Sequence, residues 1–261
     1  MAKFFRLDTD QNGTDSFQSY IDAGKVENLE CPTFEVFDKH RLHLMRVLQP
    51  GDWVCIDTAN VMLNTTRMDK MLGSNPGEPL WNPAQIDKFF KEKEGWGLYT
   101  MPTAFLLRSI NNFRARGARV IVLCHEDEQD DEHTGLTSQG PQGNPDFVKQ
   151  LIARSSDLFR LYSLPSDIRN EQGEVVFKAE TRVLYLRRTD QFQAKFHVER
   201  QFSDGIPKAL TDPTLPKLWA TLHKQSSVLC IYGHPGAGKS SLAVTATDGP
   251  SEPAHASEGQ Q

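Results

Sequence analysis

The sequence predicts an α/β fold with a mainly parallel central sheet and an antiparallel extension at one edge. Three observations predict it. Short apolar runs recur without polar–apolar alternation, as strands covered on both faces require. Segments with helical spacing lie between them, which places helices on both sides of a sheet and so makes three layers. The last apolar run opens directly into a glycine-rich loop, and ligands of open α/β sheets bind at that edge.

Seven segments read as strands. KFFRLD (3–8) is the first, and CPTFEVF (31–37) reads as a second. WVCID (53–57) follows the turn Gln49-Pro50-Gly51-Asp52, and ARVIVLC (118–124) follows Gly117. DLFRLYS (157–163) comes next. VVFKAETRVLYLRR (175–188) alternates more and reads as a hairpin or two edge strands. SSVLCIYG (226–233) is the last. Between them, 16–24, 38–48, 83–95, 102–116 and 146–156 have helical patterns. Asp38 is the expected N-cap of the second, and Gly117 the stop of the fourth. The polar stretches 64–82 and 126–145 read as long loops. The tail 248–261 is Gly, Pro, Ser, Ala and Glu with no larger aliphatic, so it buries nothing and is expected to be disordered. The expected organisation is one domain over 1–247, with 226–247 supplying a strand, a loop and a helix.

Composition narrows the function classes. With 38% hydrophobic and 24% charged residues, a net charge of -5 and a pI near 5.9, the 261-residue chain is not a globally basic nucleic-acid binder. No apolar run approaches the roughly 18 residues of a membrane span, and the N-terminus lacks a secretory pattern, so a cytoplasmic protein is expected. Cys31, Cys55, Cys124 and Cys230 lack metal-ligand spacing and read as buried free thiols.

The motif that carries chemistry spans Gly233 to Ser240 and has the form G-x-x-x-x-G-K-[ST]. Such a loop turns backbone N–H groups toward phosphate oxygens, with glycines where the backbone angles demand them. Gly233, His234, Pro235, Gly236, Ala237, Gly238, Lys239, Ser240 and Ser241 are therefore the candidate nucleotide contacts, and ATP with Mg²⁺ the expected cofactors. Lys239 places a charge at the terminal phosphates, and the Ser240 hydroxyl is a metal ligand. The alternative is a glycine-rich turn that binds nothing.

Hydrolysis also needs carboxylates for the metal and the attacking water. No strand after Ser241 supplies them, so they must come from earlier in the chain. Asp57, at the end of WVCID, reads either as the metal-linked acid or as a helix N-cap. KFFRLDTDQNG reads as a second acid-bearing strand, carrying Asp8 and Asp10 two residues apart and expected to point the same way along the extended segment. ARVIVLCHE ends in His125 and Glu126; His125 reads either as a γ-phosphate sensor or as an exposed loop histidine.

In the order KFFRLDTD, WVCIDT, VIVLCHE, these segments resemble the RecA-like P-loop ATPases. More narrowly they are similar to phage-encoded nucleotide-binding and recombination ATPases of AAA type. The resemblance covers about residues 3–245. It implies that Asp10, standing where most RecA-like proteins have Glu, acts on the attacking water; that Asp57 is the Mg²⁺-linked acid; and that His125 senses the γ-phosphate. RRTDQFQAKFHVERQF resembles the family's terminal basic strands. Arg200 or Lys195 would then act on a neighbouring subunit's nucleotide in a homo-oligomer, unless each is a surface ion pair. Single-stranded DNA and recombination or replication proteins are the implied partners, in a bacterial host cell. The loops 64–82 and 126–145 are candidate DNA contacts, although acids at the start of the second repel phosphate.

One departure is large. The family's phosphate loop comes first and here it comes last. Moving 226–247 ahead of residue 3 restores the order, so a circularly permuted RecA-like fold is expected, either as a true permutation or as a gene cut at the start point of a circular genome. The shorter Asp10 also suggests an alternative, a nucleotide-gated assembly or adaptor protein that hydrolyses slowly. A permuted GTPase lacks its N-K-x-D and D-x-x-G motifs here. A packaging motor would want Asp-Glu where Asp57-Thr58 stands.

Overall fold

A computed structural model describes residues 2–10, 18–64, 93–130, 137–170, 172–189, 191–196 and 205–248. The chain runs β1 (Phe4–Asp8), α1 (Gln18–Asp22), β2 (Val26–Glu30), α2 (Phe34–Val47) and β3 (Trp53–Asp57). There follow α3 (Lys93–Ala115), β4 (Arg119–Asp130), β5 (Thr137–Pro141), α4 (Pro145–Arg154) and β6 (Asp157–Ser163). The last part holds β7 (Ile168–Arg169), β8 (Val175–Phe177), β9 (Arg182–Tyr185), β10 (Ala209–Thr211), α5 (Leu215–Leu222), β11 (Val228–Gly233) and α6 (Lys239–Val244).

The main sheet has the order β10-β9-β6-β11-β4-β3-β1-β2, with β5 paired to the far end of β4. From β6 to β2 every neighbouring pair is parallel, while β9 and β10 are antiparallel additions at the other end. The expected mainly parallel sheet with an antiparallel extension is present. β11, last in the chain, lies in the middle of it.

The parallel strands inside the edge strand β2 are largely apolar on both sides because both faces are covered. Phe5, Leu7, Val54, Ile56, Val122 and Cys230 face one cluster with Leu44 of α2, Phe113 of α3 and Phe147 of α4. Phe4, Trp53, Cys55, Ile121, Leu229 and Ile231 face the other with Leu218 of α5 and Leu242 of α6. Alternation along β3 therefore puts Asp57 on the same side as Trp53 and Cys55, which is the side of α6. All four cysteines are buried and free, as read from the sequence.

Several expectations are corrected. The strand expected at 31–37 is instead β2 at Val26–Glu30 followed by α2. Thr33, not Asp38, caps that helix, accepting from the Val36 N–H at 3.3 Å. VENLE is an edge strand that pairs, among the described residues, with β1 alone, so most of it is polar and the apolar signal is weak. Asp38 instead pairs with Arg41. The first part of the 126–145 loop is β4 continuing to Asp130, with β5 returning alongside it. β8 and β9 do not pair with each other; β8 joins β7 and β9 joins β6. The helix expected from 102 begins by Lys93 and carries Pro102 inside it. Of the helix expected over 83–95, the loop over 64–82 and the tail over 248–261, residues 65–92 and 249–261 lie outside the described residues.

Candidate functional site

Parallel register brings the strand ends together. Asp8 stands opposite Asp57, Asp57 opposite Leu123, and His125 opposite Gly233. The ends of β1, β3 and β11 and the middle of β4, at His125, thus share one edge of the sheet.

The glycine loop is shaped by steric necessity. A Cβ on Gly233 would lie 2.1 Å from the Leu161 carbonyl oxygen of β6, so only glycine lets β11 leave the sheet there. Gly236 and Gly238 have φ of 80° and 82°, the left-handed region that glycine enters without steric cost. Lys239, only 5% exposed, donates to the carbonyls of Gly233 (3.0 Å) and His234 (2.9 Å). Burial lowers its pKa, against the opposing pull of Asp57 and other acids.

Ser240 Oγ donates to Asp57 Oδ2 at 2.6 Å, joining residues 183 positions apart. The same carboxylate oxygen receives Arg6 Nε at 2.9 Å and Arg6 NH2 at 2.8 Å. Arg6 NH1 reaches Asp8 Oδ2 at 2.5 Å and Asn28 Oδ1 at 3.0 Å. Arg6, Asp8 and Asp57 have side chains no more than 3% exposed. Asp57 is thus bound through Oδ2 to the loop serine and to an arginine. The Asp57–Thr58 peptide is cis.

His125 is half-buried, not an exposed loop residue. Its backbone N–H donates to Asn60 Oδ1 at 2.9 Å, which orients that amide, and Asn60 Nδ2 then faces His125 Nδ1 at 3.2 Å. Asn60 Nδ2 also donates to Gln142 Oε1 at 2.9 Å. An amide nitrogen only donates, so Nδ1 accepts and the neutral ring carries its proton on Nε2. That nitrogen lies 3.9 Å from Asp10 Oδ2. Burial lowers the His125 pKa, Lys239 lowers it further, and Asp10 and Asp57 act the other way. Asp8 and Asp10 do not act as a pair: the chain bends after β1, leaving Asp8 buried on Arg6 and Asp10 a third exposed beside His125.

Glu126 is buried and receives Arg160 through Nε (2.8 Å) and NH2 (3.2 Å), and His234 Nε2 at 2.5 Å. It ties the glycine loop to β4 and β6.

The loop residues, Lys239, Ser240, Asp57, His125 and Asp10 therefore gather as the sequence predicts. Lys195 does not join them: its ammonium caps the end of α4 on the Ile152 and Ser155 carbonyls, both at 2.9 Å. Arg200 lies outside the described residues. Sequence reasoning missed Arg6 and Asn60. A charge inside the apolar run FFRLD was the available signal for Arg6, and nothing marked Asn60.

Among the described residues no group of three His, Cys, Asp or Glu side chains is arranged for a metal, and no helix is long and apolar enough to cross a membrane. No protein-family model, no curated protein and no solved structure matches the chain.

Proposed function

We propose that the chain binds ATP with Mg²⁺ and hydrolyses it, as a circularly permuted RecA-like P-loop ATPase acting on DNA in phage recombination or replication. The observation that carries this reading is the Ser240–Asp57 hydrogen bond, which brings the loop at one end of the chain to the acid near the other. The residues fit the ligands. The loop has glycine wherever a side chain would collide or strain. Ser240 and Asp57 offer hard oxygen ligands of the kind Mg²⁺ takes together with phosphates and waters. Mg²⁺ held there neutralises phosphate charge.

The chain's own groups divide the remaining work. Loop N–H groups and the Lys239 ammonium, released from the Gly233 and His234 carbonyls, hold the phosphates. Asp10 orients a water and takes its proton as the water attacks the γ-phosphorus; the bond to the bridging oxygen breaks and ADP leaves. His125 presents its Nε2–H between Asp10 and the terminal phosphate. The strand order supports permutation, since β11 sits centrally and β1 lies one strand from an edge. DNA, partner proteins, the bacterial cytoplasm as setting, and a second copy of the chain to receive Arg200 all rest on the family resemblance.

ATP turnover, with and without single-stranded DNA, tests the reading. Wild type is expected to turn over ATP, and Lys239→Ala to fall about a hundredfold or more. Equal turnover in the two proteins overturns it. Arg6 favours a second reading, a nucleotide-gated adaptor with slow hydrolysis, because it already neutralises Asp57. Tight MgATP binding with negligible wild-type turnover would select that reading.

A further inference from the structure

We propose that Arg182, the first residue of β9, is a phosphate ligand in cis that closes the glycine loop on the side away from Ser240 and Asp57. The proposal rests on the nucleotide reading above and deepens it by adding a guanidinium to the binding site.

Position comes first. Arg182 pairs with Ser163, the last residue of β6, so it stands at the same edge of the sheet as the glycine loop. Counting from β11, β9 lies two strands away on one side and β3, with Asp57, two strands away on the other. A ligand seated in the loop would therefore lie between Asp57 and Arg182.

Proximity is direct. A Cβ built on Gly238 would meet Arg182 Cδ at 3.1 Å and Arg182 NH1 at 3.3 Å. The guanidinium lies against the glycine that precedes Lys239, and any side chain at 238 would push it away. Its backbone is well held: the Arg182 carbonyl accepts from the Asp212 N–H at 2.7 Å, and the next residues, Val183 and Leu184, are buried.

The lack of a partner is the third observation. Arg6 has Asp8 and Asp57, and Arg160 has Glu126. Arg182 is half-buried, yet among the described residues its guanidinium has no hydrogen bond and no ion pair. Five N–H donors in a fixed fork, held without an acceptor beside a loop built for phosphate, match the oxygens of a nucleotide phosphate in a way that a lysine's single ammonium does not.

The test is calorimetric titration of the full chain with MgATP and with MgADP, for wild type, Arg182→Ala and Arg182→Lys, together with thermal midpoints without nucleotide. Arg182→Ala should weaken both nucleotides on the order of ten- to a hundredfold, Arg182→Lys should recover part of that, and the nucleotide-free midpoints should stay together. Wild-type affinity in Arg182→Ala overturns this inference and leaves the ATP reading standing. A loss of affinity that tracks a fall in the nucleotide-free midpoint marks Arg182 as a packing residue and also overturns it. Absence of nucleotide binding in wild type overturns both.

Discussion

Asp57 and His125 occupy the same edge, and each is held in place by hydrogen bonds from its neighbours. Arg6 donates twice to Asp57 Oδ2 where Ser240 donates once, so the carboxylate is fixed in position inside a nearly closed site. His125 is held neutral by burial, by Lys239 and by the Asn60 amide that needs Nδ1 as an acceptor. This has a consequence for stability. The folded pKa of His125 lies below its ordinary value of 6.5, so on acidification the unfolded chain takes up this proton first. The stabilisation from a neutral His125 is complete above about pH 6.5 and is lost as pH falls from there toward the lowered value. Thermal midpoints of wild type and His125→Gln, followed from about pH 7.5 to 5.5, should show the steeper fall in wild type. Parallel curves would mean that His125 accepts its proton in the folded state without penalty.

Between elements, the joint of β11 and β6 limits what the loop can tolerate. Gly233 has no room for a Cβ because the obstacle, the Leu161 carbonyl oxygen, is backbone and belongs to a central strand. Gly236 has open space, and only its left-handed φ of 80° resists a side chain. Gly233→Ala should therefore cost about 2–3 kcal/mol by forcing two strands apart, and Gly236→Ala about 1 kcal/mol through backbone strain. Chemical denaturation of both variants checks the order; a Gly233→Ala loss no larger than that of Gly236→Ala would show that β11 yields at its end. The same distinction explains what was legible beforehand. β3, β4, β6 and β11 were readable because both faces are buried and the runs are correspondingly rich in apolar residues. β2 and the β4–β5 hairpin were not, since an edge or a projecting ribbon leaves much of its surface in water and TSQGP or VENLE carries little period. α5 lay unread as well: LPKLWATL is short, although Leu215, Leu218, Trp219 and Leu222 do form a buried face under a Thr214 cap. Of the site, the loop and its acids could be read from strand-end positions. Asn60 and Arg182 could not, because only the register across the sheet and the approach of β9 bring them to that edge, and Arg6 left no more signal than a charge inside an apolar run.

For the molecule as a whole, the segment that comes last in the chain occupies the middle of the sheet. β11 is hydrogen-bonded on both sides, to β4 and to β6, and α6 buries Leu242, Ala243 and Val244 against the α5 face. Strands β1 to β10 thus leave a slot that only residues from 226 onward fill, and the sheet closes only once the whole chain is available. The end of the described chain then lies beside its beginning: the Asp248 carboxylate accepts from the Tyr20 hydroxyl at 3.3 Å and lies 3.7 Å from the Lys25 ammonium. If the fold is a permuted one, chain order is immaterial to the packed state, and the loop works from either end. A variant with 226–248 placed ahead of residue 2, joined by roughly a dozen Gly/Ser residues, should give the wild-type circular dichroism spectrum and bind MgATP within a few-fold of wild type. Its sheet should also close without waiting for the far end of the chain, since β11 would be made first and its partners β4 and β6 would find it already present. A variant that folds but has lost MgATP binding would show that the Ser240–Asp57 contact depends on the native chain order, and the permutation reading would fall with it.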